Sequence, residues 1–178
     1  MIEMFVTGVA LDIRSNIPLV ILNDADRKYT LPIWIGQSEA QAIARGLAEI
    51  ETERPMTHDL MCDIIDSLEA SIDCIEINSY EESTFFAAII LVDKEETSMA
   101  IDSRPSDAIA LAIRHSAPIF VSEKILSEVG GQIKALSDSE ESLDPITNPE
   151  ARAEFKEFLK TVKASDFSLD KSKGLDQE

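Results

Sequence analysis

Apolar and polar residues alternate, or form short apolar runs, along the first 35 positions of the chain. The pattern predicts three strands, at residues 4–12, 18–22 and 29–35, separated by polar turns. Pro32 has no N–H to donate to a neighbouring strand, so the third strand should lie at a sheet edge or contain a bulge there. This opening is typical of an antiparallel meander.

The pattern changes to a helical period after Gly36. One helix is predicted from Glu39 to about Glu49, with Ser38 as its cap and an apolar face at Ala40, Ile43, Ala44 and Leu47. A second helix is predicted from Thr57 to Ala70. Thr57 should be its N-cap, and its buried face should contain Leu60, Met61, Ile64, Ile65 and Leu68.

Strands and helices continue to alternate in the second half of the chain. Strands are predicted at residues 74–80, 84–92, 97–101 and 118–121, and the second of these should be central and covered on both faces. A helix begins at Pro105, and its apolar residues 108–113 predict burial on every side. A brief helix at 123–129 ends at two glycines.

Composition changes after Gly131, where the chain becomes polar and acidic. The change predicts one folded domain at residues 1–131, an acidic linker at 132–148, an amphipathic helix at 149–167 and a disordered tail at 168–178. The predicted C-terminal helix carries an apolar stripe of Phe155, Phe158, Leu159 and Val162.

The charge balance restricts the possible partners. Sixteen lysine and arginine residues stand against thirty-four aspartate and glutamate residues, for a formal net charge of −18. Such a surface repels polyanions at long range, and nonspecific binding of nucleic acid normally rests on basic patches. Divalent cations, a local arginine cluster or a salty cytoplasm could allow binding of nucleic acid despite this charge, and the sequence does not distinguish them.

The sequence contains no feature of membrane insertion or of a zinc site. No apolar run is long enough to cross a bilayer, and acidic residues interrupt the N-terminal apolar pattern, unlike a signal peptide. Cys62 and Cys74 form no metal or redox motif and should be small buried residues in a reducing cytoplasm. We therefore expect a cytoplasmic protein that makes no membrane contact.

The segment Asp102–His115, D-S-R-P-S-D-A-I-A-L-A-I-R-H, joins a strand end to the buried helix. Pro105 suits the first helical position, and the Asp107 carboxylate meets the positive end of the helix dipole. Arg104 stands at the mouth of this turn. These residues are explained either by a capped core helix with an ion pair at its end or by a functional site.

A similar pattern precedes the second predicted helix, where R-P-M-T-H-D starts at Arg54. Each site offers a guanidinium beside helix N–H groups, which suits phosphate, and a carboxylate, which suits Mg²⁺ or Mn²⁺. His58 can titrate near neutral pH, although a lone histidine in a first turn is more often structural. Glu39 is equally explained as compensation of a helix dipole.

Three segments resemble the bifunctional nuclease family, whose small bacterial and plant domains are credited with both DNase and RNase activity. The segments are L-P-I-W-I-G-x-x-E-A at 31–40, R-P-M-T-H-D-L-M at 54–61 and D-S-R-P-S-D-A-I-A-L-A-I-R at 102–114. The resemblance implies an α+β domain with a mainly antiparallel sheet, a candidate nuclease activity on DNA or RNA, and self-association, with a homodimer favoured. The motif positions it marks are Glu39, Arg54, His58, Asp59, Arg104 and Asp107.

Two function classes remain open. The first is a nuclease in which Glu39, Asp59 and Asp107 hold Mg²⁺ or Mn²⁺, His58 transfers a proton, and two arginines, Arg54 and Arg104, bind phosphate. The second is a non-catalytic regulatory or ligand-binding domain that uses the same arginines for an anion. Five of these residues should converge on one cleft, because three predicted helix starts carry them: Glu39, Arg54, Asp59, Arg104 and Asp107.

Overall fold

A computed structural model describes residues 1–12 and 15–129. Its elements, in chain order, are β1 Ile2–Leu11, β2 Pro18–Asn23, β3 Thr30–Trp34, α1 Gln37–Leu47, α2 Thr57–Ser67, β4 Ala70–Glu81, β5 Thr84–Asp93, β6 Ser98–Ser103, α3 Pro105–His115 and β7 Ile119–Val121. A short helical segment follows at 123–129. The predicted linker, C-terminal helix and tail, at 132–178, lie outside the described residues, so those boundaries stay predictions.

The strands form one seven-stranded sheet in the order β3-β2-β1-β7-β4-β5-β6. Neighbouring strands are antiparallel except for β7 and β4, which are parallel. The predicted α+β fold with a mainly antiparallel sheet is therefore confirmed. The meander of β1, β2 and β3 is also confirmed, and β3 lies at the sheet edge, where Pro32 requires no partner for its missing N–H.

The predicted central position of β5 is wrong. The short strand β7 lies in the middle of the order, whereas β5 is next to the edge strand β6. Ala87, Ala88 and Ile89 of β5 are buried, but Phe86 is 41% exposed. A long apolar run therefore did not distinguish a strand covered on both faces from one near the edge.

Helix α3 is the buried helix that the sequence predicts. Residues 108–112 are all almost inaccessible to solvent, and α3 packs against α1, α2, β4 and β5. Small residues allow this close packing. A Cβ added at Gly46 of α1 would lie 3.0 Å from Cγ2 of Ile113 and 3.1 Å from Nη1 of Arg114.

The predicted ends of α1 and the buried face of α2 need correction. Helix α1 has Gly36 as its N-cap, not Ser38, and Leu47 is 41% exposed while Ala40, Ile43 and Ala44 are buried as predicted. Helix α2 has Met56 as its N-cap, not Thr57, and contains no buried residue. Of its predicted buried face, Leu60, Met61, Ile64 and Leu68 are exposed.

The exposure of α2 has a geometric reason. The helix contacts α3 and β4 at the periphery, so that only Cys62 and Ile65 pack against the core. Met56, Leu60, Ile64 and Leu68 recur every four residues and therefore share one exposed face, which we call the α2 stripe. Within residues 1–12 and 15–129, no helix is both long and apolar enough to cross a membrane.

Candidate functional site

Arg104 joins the starts of α1 and α3 through two carboxylates. Its Nε donates a hydrogen bond to Oδ2 of Asp107 at 2.7 Å, and its Nη1 donates one to Oε1 of Glu39 at 3.0 Å. Arg104 is the N-cap residue of α3, and Asp107 lies in the first turn of the same helix. This position brings the guanidinium within reach of a carboxylate three residues ahead.

His58 extends this arrangement to the first turn of α2. Its Nε2 lies 3.2 Å from Oδ1 of Asp107, so the two oxygens of one carboxylate contact an imidazole and a guanidinium. With a proton on Nε2, His58 donates to Asp107, and its Nδ1 has no hydrogen-bond partner in the described part of the chain. We call Glu39, His58, Arg104 and Asp107 the Arg104 cluster.

The charged groups of the cluster differ in exposure. The Arg104 side chain is 66% exposed, whereas those of Glu39, Asp107 and His58 are 20%, 25% and 12% exposed. Asp107, followed by Glu39, raises the pKa of Arg104 above its usual value. The guanidinium therefore stays charged, and because it has five N–H donors it can accept another anion from solvent.

Asp59 binds a different arginine. Its Oδ1 accepts a hydrogen bond from Nε of Arg114 at 2.5 Å, and its Oδ2 accepts one from the N–H of Met56 at 2.9 Å. The Arg114 guanidinium lowers the pKa of the Asp59 carboxyl below its usual value. Arg114 also donates to the carbonyl oxygens of Ala110 and Ala42, at 2.8 and 3.3 Å. The contacts of Asp59 and Arg114 thus link α1, α2 and α3.

Sequence reasoning did not identify Arg114 as a partner of Asp59. Arg114 is only 14% exposed and lies in the last turn of α3, where a cation is expected for its effect on the helix dipole. The available signal was the burial predicted for α3, because a cation on a buried helix requires a partner.

Arg54 is the second predicted site residue, after Asp59, that lies outside the Arg104 cluster. It is exposed, and its side chain makes no hydrogen bond or ion pair with any residue in 1–12 or 15–129. Its carbonyl oxygen accepts a hydrogen bond from the Thr52 hydroxyl at 2.6 Å. Of the six predicted site residues, four form the Arg104 cluster, while Asp59 and Arg54 have other surroundings.

The predicted metal ligands do not form a three-carboxylate site. The described residues contain no group of three His, Cys, Asp or Glu side chains that could hold a metal ion. Glu39 and Asp107 share Arg104, and Asp59 binds Arg114, so a cation would have to displace two guanidinium groups. This arrangement does not fit the ligand set Glu39, Asp59 and Asp107.

A pocket of about 250 Å³ lies directly beside the cluster. The end of β3, the start of α1, the turn between β4 and β5 and the start of α3 meet there. Its lining residues are Ile33, Trp34, Ile35, Gly36, Glu39, Ser83, Thr84, Phe85, Arg104, Pro105 and Ser106. We call it the Trp34 pocket. Sequence reasoning did not identify it, although all its lining residues except Ser83, Thr84 and Phe85 lie within two of the recognised motifs.

The cysteines do not contribute to this site. Cys74 is buried as predicted, and Cys62 is half-buried against the core. Burial raises the pKa of the Cys62 thiol to about 11, so the group stays protonated near neutral pH. Neither residue is therefore an activated nucleophile.

Sequence comparisons identify the family of this chain. The sequence profile of the bifunctional nuclease domain matches residues 20–134. An uncharacterized protein of Mycobacterium tuberculosis is 39% identical over 165 residues, which cover 93% of this chain and 97% of that protein. Bifunctional nuclease 2 of Oryza sativa subsp. japonica is 26% identical over 131 residues, or 72% of this chain and 38% of that protein. Bifunctional nuclease 2 of Arabidopsis thaliana is 23% identical over 58% of this chain and 32% of that protein. The chain belongs to the bifunctional nuclease domain family.

Proposed function

We propose that this protein is a nuclease that hydrolyses phosphodiester bonds of DNA or RNA with little sequence specificity. The observation that carries the proposal is the Arg104 cluster, in which one carboxylate joins an exposed guanidinium to a histidine. A charged group for phosphate and a group for proton transfer are thereby fixed next to each other. Family membership supports the same reaction class.

Arg104 is the proposed phosphate-binding residue. Its guanidinium matches two phosphate oxygens with paired N–H donors. Glu39 occupies Nη1 at 3.0 Å, and phosphate would compete with this carboxylate for the donor. Glu39 therefore holds the guanidinium in place, while Asp107 keeps Nε fixed at 2.7 Å.

His58 is the proposed proton-transfer residue. Asp107 accepts a hydrogen bond from the protonated Nε2, which orients the ring and stabilises a positive charge on it. Nδ1 then takes a proton from the attacking water, and the leaving oxygen, which departs on the opposite side of the phosphorus, takes its proton from solvent. A positioned acid–base group of this kind accelerates hydrolysis by roughly 100- to 10,000-fold.

Dependence on Mg²⁺ or Mn²⁺ stays a prediction of the sequence. The three carboxylates predicted to bind the ion are held by two arginines, and we assign no catalytic step to a metal. Activity measured in excess chelator, and again after Mg²⁺ or Mn²⁺ is restored, tests this prediction separately from the roles of Arg104 and His58.

The test of the proposed function is a nuclease assay on the full chain and two variants. Activity should follow the protein through two orthogonal purification steps, and His58→Gln should reduce the rate at least about 100-fold. Asp63→Asn, an exposed change on the same helix, is the control and should leave the rate unchanged. Loss of cleavage by the wild type on further purification, or full activity of His58→Gln, contradicts the proposal.

A non-catalytic domain that binds an anion is the second candidate. The observation in its favour is that the described residues provide guanidinium groups but no assembled set of three metal-binding side chains. An anion held by Arg104 without hydrolysis would require only the Arg104 cluster. Binding of oligonucleotide without any cleavage by homogeneous protein would favour this candidate.

Self-association and a cytoplasmic location also remain proposals. The α2 stripe supports the first, because exposed apolar residues on one helix face favour contact with a protein surface. We propose a second copy of this chain as that surface. Light scattering on the wild type should then show a dimer, and Leu60→Lys with Ile64→Lys should convert it to a monomer. Paired replacement of Met99 and Ala100 by lysine, on the edge strand β6, is the control.

A further inference from the structure

We infer that the Trp34 pocket binds one unpaired nucleobase, so that the substrate is single-stranded nucleic acid. The inference deepens the proposed nuclease function, since it depends on a phosphate at Arg104. Arg104 lines the pocket as well as forming the cluster. A nucleoside attached to a phosphate at Arg104 therefore lies within reach of the pocket.

The size of the pocket favours a single small ring system. Sites for drug-sized ligands measure roughly 300–1,000 Å³. The Trp34 pocket, at about 250 Å³, is below this range. It accommodates one planar heterocycle and excludes a stacked base pair, so a base must leave any duplex before it enters.

Two aromatic residues give the pocket a stacking surface. Trp34 is 49% exposed on the edge strand β3, and Phe85 is partly buried at the start of β5. The ring of Phe85 is held by Tyr80, with ring centroids 4.5 Å apart. Bases of any sequence stack on aromatic side chains, and this stacking contributes to the affinity of proteins that bind single strands.

Ser106 supplies an unused hydrogen-bonding group. Its side chain lines the pocket and is only 7% exposed, yet it makes no hydrogen bond with any of the described residues. Because this hydroxyl lies at the pocket and no neighbouring group occupies it, it is available to donate a hydrogen bond to a ligand or accept one from it. The polar edge of a nucleobase does both.

The charge of the chain favours a single strand over a duplex. Proteins that hold duplexes neutralise many phosphates, whereas this chain has a net charge of −18 and one arginine at the pocket. Affinity must then come from contacts that do not depend on charge. Stacking on Trp34 and Phe85, with one hydrogen bond at Ser106, meets this requirement.

Fluorescence of the full chain tests the inference, because Trp34 is its sole tryptophan. Stopped-flow mixing separates binding from cleavage. An oligothymidylate strand should change the fluorescence saturably, its duplex with oligoadenylate should bind at least about tenfold more weakly, and inorganic phosphate at equal concentration should give no change. Equal binding of strand and duplex, or no response to the strand, overturns the inference.

Two variants and a matched control locate the binding. Phe85→Leu should weaken binding of the strand about tenfold, which corresponds to about 1.4 kcal/mol and is typical of one stacked base. Phe86→Leu, at the neighbouring exposed position outside the pocket, should leave binding unchanged. Near-ultraviolet circular dichroism checks that each variant is folded. Ser106→Ala is a smaller change that should weaken binding of the strand several-fold, and it tests the pocket if Phe85→Leu does not fold. Equal loss in Phe85→Leu and Phe86→Leu contradicts the inference.

The fluorescence result is independent of the hydrolysis result. If the homogeneous protein does not cleave but the strand still changes Trp34 fluorescence, the nuclease proposal fails and the base-binding pocket is supported. If the protein cleaves while Trp34 gives no response to the strand, the nuclease proposal stands and the pocket inference fails.

Discussion

Two arginine–proline pairs precede helices in this chain, and the structure gives them different surroundings. Arg104 is the N-cap of α3, and its side chain binds Asp107 of the same first turn. Arg54 lies two residues before the N-cap of α2 and binds no carboxylate in the described residues. The first-turn carboxylate of α2, Asp59, instead binds Arg114 of α3.

The spacing between arginine and carboxylate explains this difference. Three positions separate Arg104 from Asp107, whereas five separate Arg54 from Asp59. Side chains three residues apart meet at a helix start, and those five apart point in different directions. A partly buried arginine then replaces Arg54 as partner of Asp59. The same arginine–proline pattern thus precedes two different arrangements. At α3 it gives an exposed cluster suited to ligands, and at α2 the first-turn carboxylate instead forms an ion pair that links α2 to α3.

The largest expected contrast is between the two carboxylates. Asp107→Asn should reduce nuclease activity about 100-fold or more, because an amide has only one acceptor oxygen for the two donors Arg104 Nε and His58 Nε2 and carries no charge to balance a protonated His58. Asp59→Asn should change activity only a few-fold, since the Asp59 carboxylate hydrogen-bonds to Arg114 and the Met56 N–H and to no side chain of the Arg104 cluster. Initial rates on one oligonucleotide measure both. Equal losses in the two variants contradict the division of roles.

Substitution of Arg104 should reduce nuclease activity more than substitution of Arg54. Arg104→Lys should lower kcat/KM about tenfold or more, because an ammonium cannot reproduce paired N–H contacts to phosphate. Arg54→Lys keeps the charge at an exposed position without a partner and should have little effect. If Arg54→Lys loses as much activity as Arg104→Lys, both helix starts bind substrate, as the sequence alone predicts.

The sequence predicted the fold more fully than the site. The meander, the edge position of Pro32 and the burial of α3 follow from local rules on periodicity and on the missing proline N–H. The exposed face of α2 does not, because the same apolar period serves a core and an interface. The sequence also could not predict the Trp34 pocket. β3 and β5 both line it, although β2, β1, β7 and β4 separate them in the sheet order.

Within the site, the sequence indicated residue types but not their pairing. Glu39, His58, Arg104 and Asp107 were all identified as candidates, and contacts between three elements bring them together. The assignment of Asp59 to the same site depended on the Arg54 motif, and that motif has the wrong spacing for an arginine–carboxylate contact. Partners distant in sequence, such as Arg114 for Asp59, are fixed only by how the helices pack.

Substitution of Arg114 should reduce the stability of the fold more than substitution of Arg104. Arg114→Gln should lower the free energy of unfolding by about 2–3 kcal/mol, because it leaves Asp59 unpaired and removes donors from two carbonyl oxygens. Arg104→Gln should remain within about 0.5 kcal/mol of the wild type, since the side chain is 66% exposed. Urea denaturation of both variants measures this. A larger loss in Arg104→Gln would mean that the cluster is structural.

Gly36 offers a milder test of the cluster. A Cβ at this position would contact the Glu39 carboxylate, which is the flexible end of its side chain. Gly36→Ala should therefore shift Glu39 away from Arg104 with little loss of stability, and phosphate should compete more easily for Nη1. We expect a lower KM, by a few-fold, with kcat nearly unchanged. A fall in kcat with unchanged KM contradicts the role given to Glu39.

The smallest expected effect is the pH dependence of the Asp59–Arg114 pair. Arg114 lowers the pKa of the Asp59 carboxyl below its ordinary value of 3.8, so folding favours the charged form. The resulting stability is fully present above that ordinary value and is lost as pH falls through the lower pKa of the folded state. The Asp59 side chain is 35% exposed, which keeps the contribution small.

The difference in unfolding free energy between wild type and Asp59→Asn should therefore increase as pH rises towards about 4 and stay constant above about 5. Asp63→Asn, at an exposed position of the same helix, is the control for the loss of one surface carboxylate. A difference that stays constant from acid to neutral pH would show that Asp59 acts through hydrogen bonds available to an amide and not through its charge.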